Sequence, residues 1–199
     1  MTITVAVCPT AARRSVLACV VALSGFLAVA SAHAEECVSM GANQYVNVLR
    51  ICVSSALPDQ GAYSYGPENL VSGPDGWAWC EGQDGPGEGG RLTLSWAPAD
   101  LSWRTLLIAN GYQRTEQTFQ ANGRIRDLRV RLEDGSRLDI RLEDQMGTQI
   151  VQLPDWTHSA VTDLTILSVY PGARYEDTCL TALGVDMEEA DLEASPFDP

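Results

Sequence analysis

The chain has 199 residues, 45% of them hydrophobic, with 26 acidic against 13 basic side chains and a net charge of −13. That balance repels phosphate backbones and anionic membrane surfaces, and no basic patch interleaved with aromatics offsets it, so nucleic-acid binding is excluded. Every basic side chain is an arginine, which removes lysine Schiff bases, lysine general bases and the phosphate-loop lysine together.

At the N-terminus, Arg13 and Arg14 precede the apolar run SVLACVVALSGFLAVA, which closes on small residues around AHA. This is the pattern of a signal peptide over residues 1–34 and implies a periplasmic or secreted protein with no transmembrane segment after cleavage. The remaining chain has 165 residues, enough for one domain, and 11 basic minus 26 acidic side chains give it a charge of −15. Its single histidine, His158, excludes a multi-histidine zinc site within one subunit. His158 also lies beside Ser159 and three after Asp155, but neighbours on an extended chain point apart, so a capping or surface histidine is the better account than a triad. Cys37, Cys52, Cys80 and Cys179 form an even set without a C-x-x-C, the signature of two disulfides in an exported chain. The spacing alone leaves all three pairings open.

Strand-like segments follow in order: VNVLRICV at 46–53, RLTLSW at 91–96 with Leu92, Leu94 and Trp96 on one face, and WRTLLIAN at 103–110. Residues 54–90 hold too much glycine and proline for a helix or a central strand. In DLRVRLEDGSRLDIRLED (127–144) two apolar triplets alternate with polar residues. Both share a face if Leu132 opposes Leu138, Val130 opposes Ile140 and Leu128 opposes Leu142, with Asp134, Gly135 and Ser136 as the turn. That register sets Glu133 against Arg137 and Arg131 against Asp139, but it also opposes Arg129 to Arg141 and Asp127 to Glu143. TQIVQL, LTILSVY and CLTALGV complete about eight strands, and residues 186–199 read as an acidic flexible tail. No segment carries the apolar spacing of a helix of three or more turns. The expectation is an all-β, antiparallel jelly-roll sandwich over residues 35–185.

The richest polar and aromatic cluster is GWAWCEGQDGPGEGG at 76–90. Trp77 and Trp79 can stack on sugar rings while Glu81, Asp84 and Glu88 accept hydroxyl hydrogen bonds. The structural alternative is that a tryptophan plugs one end of the sandwich and the glycines permit a tight path. No cofactor is required, with calcium the alternative through Asp84 and Glu88, although the acids do not match an EF-hand loop. Glu81 or Glu88 with Asp84 or Asp177 is the carboxylate pair a small hydrolase would use. Arg124 and Arg126 can each clamp a carboxylate, Asp177 being a candidate partner.

Several segments, in this order, resemble the NAD-glycohydrolase-type translocation or glycan-binding domain, a discoidin-like relative of coagulation-factor C-type and galactose-binding modules. They are YGPENL (65–70), WCEG (79–82) with its glycine run, NGY (110–112), FQANGR (119–124), LRVRLEDG (128–135) and VYPGARYEDTC (169–179). The resemblance implies an eight-stranded antiparallel jelly roll, galactose-binding-like, that recognises ligands through end loops and has no catalysis of its own. It assigns ligand contact to Trp79, Glu81, Asn110, Tyr112, Arg124 and Asp177, and it also pairs Cys80 with Cys179 and Cys37 with Cys52. Ser72 stands where the family shows an aspartate, which weakens any inherited metal site. The functional expectation is an exported, noncatalytic module binding a glycan or another polar surface ligand. A structural or protein-interaction domain of the bacterial envelope is the alternative, with a small hydrolase third.

Overall fold

The computed structural model describes residues 35–98 and 100–194, with side chains described as far as residue 190. The expected signal peptide over 1–34 and the last five residues of the expected tail lie outside the described residues.

The described residues form ten strands: β1 (Glu36–Met40), β2 (Val48–Val53), β3 (Trp79–Cys80), β4 (Arg91–Ala97), β5 (Trp103–Asn110), β6 (Gly123–Leu132), β7 (Arg137–Arg141), β8 (Thr148–Thr157), β9 (Val161–Tyr170) and β10 (Thr178–Val185). Two of them, β1 and β3, exceed the eight expected. The hydrogen-bonded path runs β1-β2-β4-β9-β6-β10-β5-β8, with β7 on β6 and β3 on β10. Every pairing is antiparallel except β6 with β10, where Thr178 meets Gly123 and Cys179 meets Arg124 in parallel. That two-residue junction links the two layers of a jelly-roll sandwich.

Alternation drives the packing. On β4, Leu92, Leu94 and Trp96 face inward while their neighbours face out, as the period of two requires. Trp96 meets Trp103 of β5 edge to face at 5.6 Å between centroids, a geometry the ring quadrupoles favour. Trp103 satisfies its indole N–H on the Ser159 carbonyl at 2.8 Å. Pro154 lies within β8, the terminal strand of the path, where a residue without an N–H costs no ladder bond.

The β6–β7 hairpin corrects the expected register. Leu128 opposes Ile140, Val130 opposes Leu138 and Arg131 opposes Arg137, a shift of two residues that preserves the buried face. The turn has three residues, as expected, but they are Glu133, Asp134 and Gly135: Leu132 N–H donates to Ser136 O, and Gly135 N–H to Leu132 O. Gly135 takes φ +85°, the left-handed position that a type I turn with a bulge needs. This register places Arg129 opposite Asp139 and Asp127 opposite Arg141, which removes both like-charge oppositions of the expected pairing.

Two disulfides close the frame, Cys37–Cys52 across β1 and β2 and Cys80–Cys179 across β3 and β10. Both are the pairs implied by the resemblance. The second spans 99 residues, and restricting an unfolded loop of that size stabilises the fold by about 4.7 kcal/mol on chain-entropy grounds.

Among the described residues there are also two short α-helices, α1 (Glu116–Ala121) and α2 (Met187–Ala194). α2 replaces the first part of the expected flexible tail. Asp186 accepts from the Glu189 N–H at 3.0 Å, Ala190 is fully buried, and Glu189 pairs with Arg104 of β5 at 2.9 Å. One buried alanine and one ion pair are too weak a periodic signal to read from an acidic sequence. Among the described residues no helix is long and apolar enough to cross a membrane.

Candidate functional site

Three loops far apart in sequence converge at the end of the sandwich where β6 and β10 begin. Backbone hydrogen bonds from Leu57 N to Cys80 O and from Cys80 N to Tyr65 O pin the first loop to β3, and a tight turn between Gln60 and Tyr63 projects Tyr63 outward. The second loop, 111–115, lies against Gly76: a Cβ there would sit 2.7 Å from the Arg114 Cα, and φ is +76°, so glycine alone permits this approach. The third, 171–177, is held by N–H groups of Ala173, Arg174 and Tyr175 that donate to Gln120 and Ala121 at the C-terminal end of α1. α1 is itself fixed by a reciprocal cap between Thr115 and Thr118.

Between these loops lies a cleft of about 310 Å³. Tyr63, Tyr65, Tyr112 and Tyr175 line it, with Arg114, Arg174 and Asp177 among its polar groups. Tyr63 is 41% and Tyr175 43% exposed; Tyr112 is buried behind them and meets Tyr65 edge to face at 6.3 Å. Ala78 and the Cys80–Cys179 disulfide pack with Tyr112, and Leu57 and Tyr65 rest against them. The Arg114 guanidinium stacks over Tyr63 at 5.1 Å and Arg174 over Tyr175 at 5.0 Å. Burial pushes the Tyr65 hydroxyl above the ordinary tyrosine range, with neighbouring Tyr112 adding to it, so it stays a neutral donor.

Of the residues expected to touch ligand, Tyr112 and Asp177 line this cleft and the others do not. Trp79 is fully buried, its indole N–H donating to Ser55 O at 2.9 Å, so it plugs the sandwich and presents no face to a ligand. Asn110 is equally buried: its amide donates to Ile125 O at 2.7 Å and accepts from Ile125 N at 2.9 Å, tying β5 to β6. Arg124 clamps Asp144 rather than Asp177, with Nε to Oδ1 at 2.9 Å and Nη2 to Oδ2 at 2.7 Å. Nη1 donates to the carbonyls of Asn122 and Pro171. Arg126 pairs with Asp127.

Glu81 is also sealed from solvent. Oε2 accepts from Gln83 N at 2.8 Å, while Oε1 has no partner among the described residues. Burial raises its carboxyl above the ordinary range, against the lowering effect of the Gln83 and Thr178 N–H groups. A sealed carboxyl cannot reach a glycosidic oxygen as a general acid. Ser159 Oγ is committed to Val161 O and Glu133 N, so it is no nucleophile for His158.

Asp84 and Glu88 are exposed, and neither joins a grouping of three metal-ligand types. Among the described residues that grouping is Glu35, Cys37 and Cys52. Both sulfurs are spent in a disulfide, which leaves one carboxylate, short of the six to eight oxygens calcium takes.

Tyr63, Arg114, Arg174 and Tyr175 were missed because they sit on aperiodic loops. Their signal, YSY at 63–65 and ARY at 173–175, is a density of aromatic and arginine side chains in segments too irregular to be packed as strands.

A second groove of about 260 Å³ lies at the far end, between the hairpin turn and β8. Its one aromatic, Trp156, is covered by Arg104 at 4.8 Å.

The fold is similar to part of the arabinofuranosyltransferase AftD from mycobacteria, with TM-score 0.52 and 13% identity over 77% of this chain; it spans 11% of that one. It is also similar to a module from Clostridium perfringens solved in complex with GalNAc-β-1,3-galactose, with TM-score 0.51 and 13% identity over 69% of this chain and 94% of that one. The family 32 carbohydrate-binding module from Streptococcus pneumoniae EndoD gives TM-score 0.51 and 10% identity over 68% and 94%. At such identities the likeness concerns the fold alone. Among curated proteins, none matches this sequence. Residues 44–186, which include nine of the ten strands and all three loops of the cleft, match one family profile. By that match the chain belongs to the NAD glycohydrolase translocation F5/8 type C domain family.

Proposed function

We propose that this chain is a noncatalytic module that binds a glycan in the tyrosine-lined cleft. The carrying observation is the convergence of four tyrosines on one open cleft, two of them more than 40% exposed. Tyrosine offers a flat apolar face to the C–H side of a sugar ring and a hydroxyl to its rim, at the cost of only two side-chain torsions. The carboxylates suggested for hydrolysis do not assemble there, since Glu81 is sealed and Asp177 stands without a second acid in the lining. Two disulfides support a place in an oxidising compartment, periplasmic or secreted. Two similar folds come from carbohydrate-associated proteins, which agrees with the reading.

The test is a glycan array followed by titration calorimetry on wild type, Tyr63→Ala and Tyr175→Ala. Each substitution is expected to weaken binding about tenfold, or about 1.4 kcal/mol, with an unchanged melting temperature. Absence of any glycan ligand, or variants that bind as wild type does, overturns the proposal.

A further inference from the structure

We infer that the ligand of the tyrosine cleft is an acidic sugar, a pyranose bearing a carboxylate, held by Arg114 and Arg174. This rests on the reading that the cleft binds a glycan.

The argument begins with where the cationic charge of an acidic protein is spent. Net charge is −13, so most guanidinium groups are expected to be neutralised locally. Six of them are: Arg104, Arg124, Arg126, Arg129, Arg131 and Arg141 each pair with a carboxylate. Arg50, Arg91, Arg114, Arg137 and Arg174 have no such partner among the described residues, and of these five Arg114 and Arg174 line the same cleft. Each is laid instead on a tyrosine ring. Stacking against an aromatic face holds a guanidinium in place while leaving its in-plane N–H groups free. Five N–H donors in a rigid fork match a carboxylate better than they match isolated hydroxyls.

The two arginines are also held from different sides. Arg114 is fixed by the Gly76 contact on its own backbone and Arg174 by its N–H bond to Ala121 at 3.0 Å. An anionic group between them is reached from two loops at once, while the adjacent tyrosine faces take the ring. Asp177 on the same lining opposes a second negative charge at its edge, so a singly charged sugar fits better than a polyanion. A neutral sugar offers both forks only single hydroxyl acceptors.

The test compares binding of methyl galactoside, glucoside and mannoside with the corresponding methyl uronides, which differ only in carrying a C6 carboxylate in place of CH2OH. Calorimetry is run in about 50 mM and about 500 mM salt, ionic strengths that straddle the range over which surface charge is screened. At least one uronide is expected to bind about tenfold tighter than its neutral partner in low salt, with the preference shrinking in high salt. Arg114→Gln and Arg174→Gln are each expected to weaken uronide binding more than neutral-sugar binding and so to remove most of that preference, and Asp177→Asn to increase it. Equal affinity for acid and neutral sugars overturns this inference and leaves the glycan-binding proposal standing. No binding of any member, with the glycan array also blank, overturns both. Uronide binding indifferent to both arginine substitutions in folded protein also overturns the assignment.

Discussion

Arg124 and Asp144 form a two-pronged ion pair, 2.9 and 2.7 Å, that ties the start of β6 to the segment after β7. The arginine side chain is 9% exposed and the aspartate 39%. Removing the aspartate leaves a nearly buried charge with only two carbonyl partners. Asp144→Asn is therefore expected to lower stability by about 1–3 kcal/mol, short of a fully buried pair because water screens the acid. Asp177→Asn, at the position expected from the sequence to be this partner, should stay within about 0.5 kcal/mol. Urea unfolding of both variants separates the two assignments.

The hairpin shows how far the sequence carries. Alternating Leu128, Val130, Leu132 and Leu138, Ile140, Leu142 determine which face is buried, and that part is legible from period alone. Two registers differing by two residues satisfy the same parity, and hydrophobicity cannot choose between them. Charge does: Arg129 binds Asp139 through two bonds of 2.7 Å and Asp127 meets Arg141, leaving one like-charge opposition, Arg131 with Arg137, against two in the other register. A double-mutant cycle on Arg129→Ala and Asp139→Ala is expected to give a coupling of about 0.2–1 kcal/mol, small because both side chains are exposed. A coupling of zero would remove the electrostatic account of the register.

In the loops, by contrast, the sequence named chemistry and misplaced it. GWAWCEG draws the eye as a ligand-binding run, yet Trp79 and Glu81 are core and only Trp77 remains near the surface, tilted against Tyr63 at 5.8 Å. Loops lack the periodicity that tells inward from outward, so a tryptophan there is equally plug or platform. Trp79→Ala is expected to cost about 3–5 kcal/mol through the cavity it leaves. Tyr63→Ala is expected to cost less than about 0.5 kcal/mol and to act on binding alone. Thermal melts alongside glycan titration read out both, and a Trp79→Ala protein of wild-type stability contradicts its burial.

Asp127 receives Arg141 Nε at 2.8 Å, the Ser168 hydroxyl and Arg126 Nε at 3.0 Å. Arg141 first, then Ser168, holds its carboxyl well below the usual range. A depressed folded pKa contributes stability that is present above the unfolded value of about 3.9 and is lost as pH falls through the folded value. Asp127→Asn should thus be less stable than wild type at pH 7, the gap closing as the pH drops below about 4. Denaturation midpoints across that window check it; a gap independent of pH would mean the effect is steric.

Glu81 titrates with the opposite sign. Its carboxyl is raised chiefly by burial, and Oε1 is unpartnered. The folded state therefore holds this proton more tightly than the unfolded chain, whose glutamate titrates near about 4.3. Its favourable contribution is complete below that value and is lost as pH rises through the folded pKa. At pH 7 the charged form is a burden on the fold. Glu81→Gln retains a carbonyl oxygen for the Gln83 N–H and carries no charge, so it is expected to match or exceed wild-type stability at pH 7. The two proteins should converge as the pH approaches about 4. A larger side chain at Gly87 is not tolerated beside it, since a Cβ there would lie 2.5 Å from the Glu81 Cγ, so Gly87→Ala should be destabilised in either background. Urea midpoints between pH 4 and 8 decide the matter. A Glu81→Gln protein less stable than wild type by the same amount at every pH would show that the acid's shape and donor, rather than its buried charge, set the energetics of this corner.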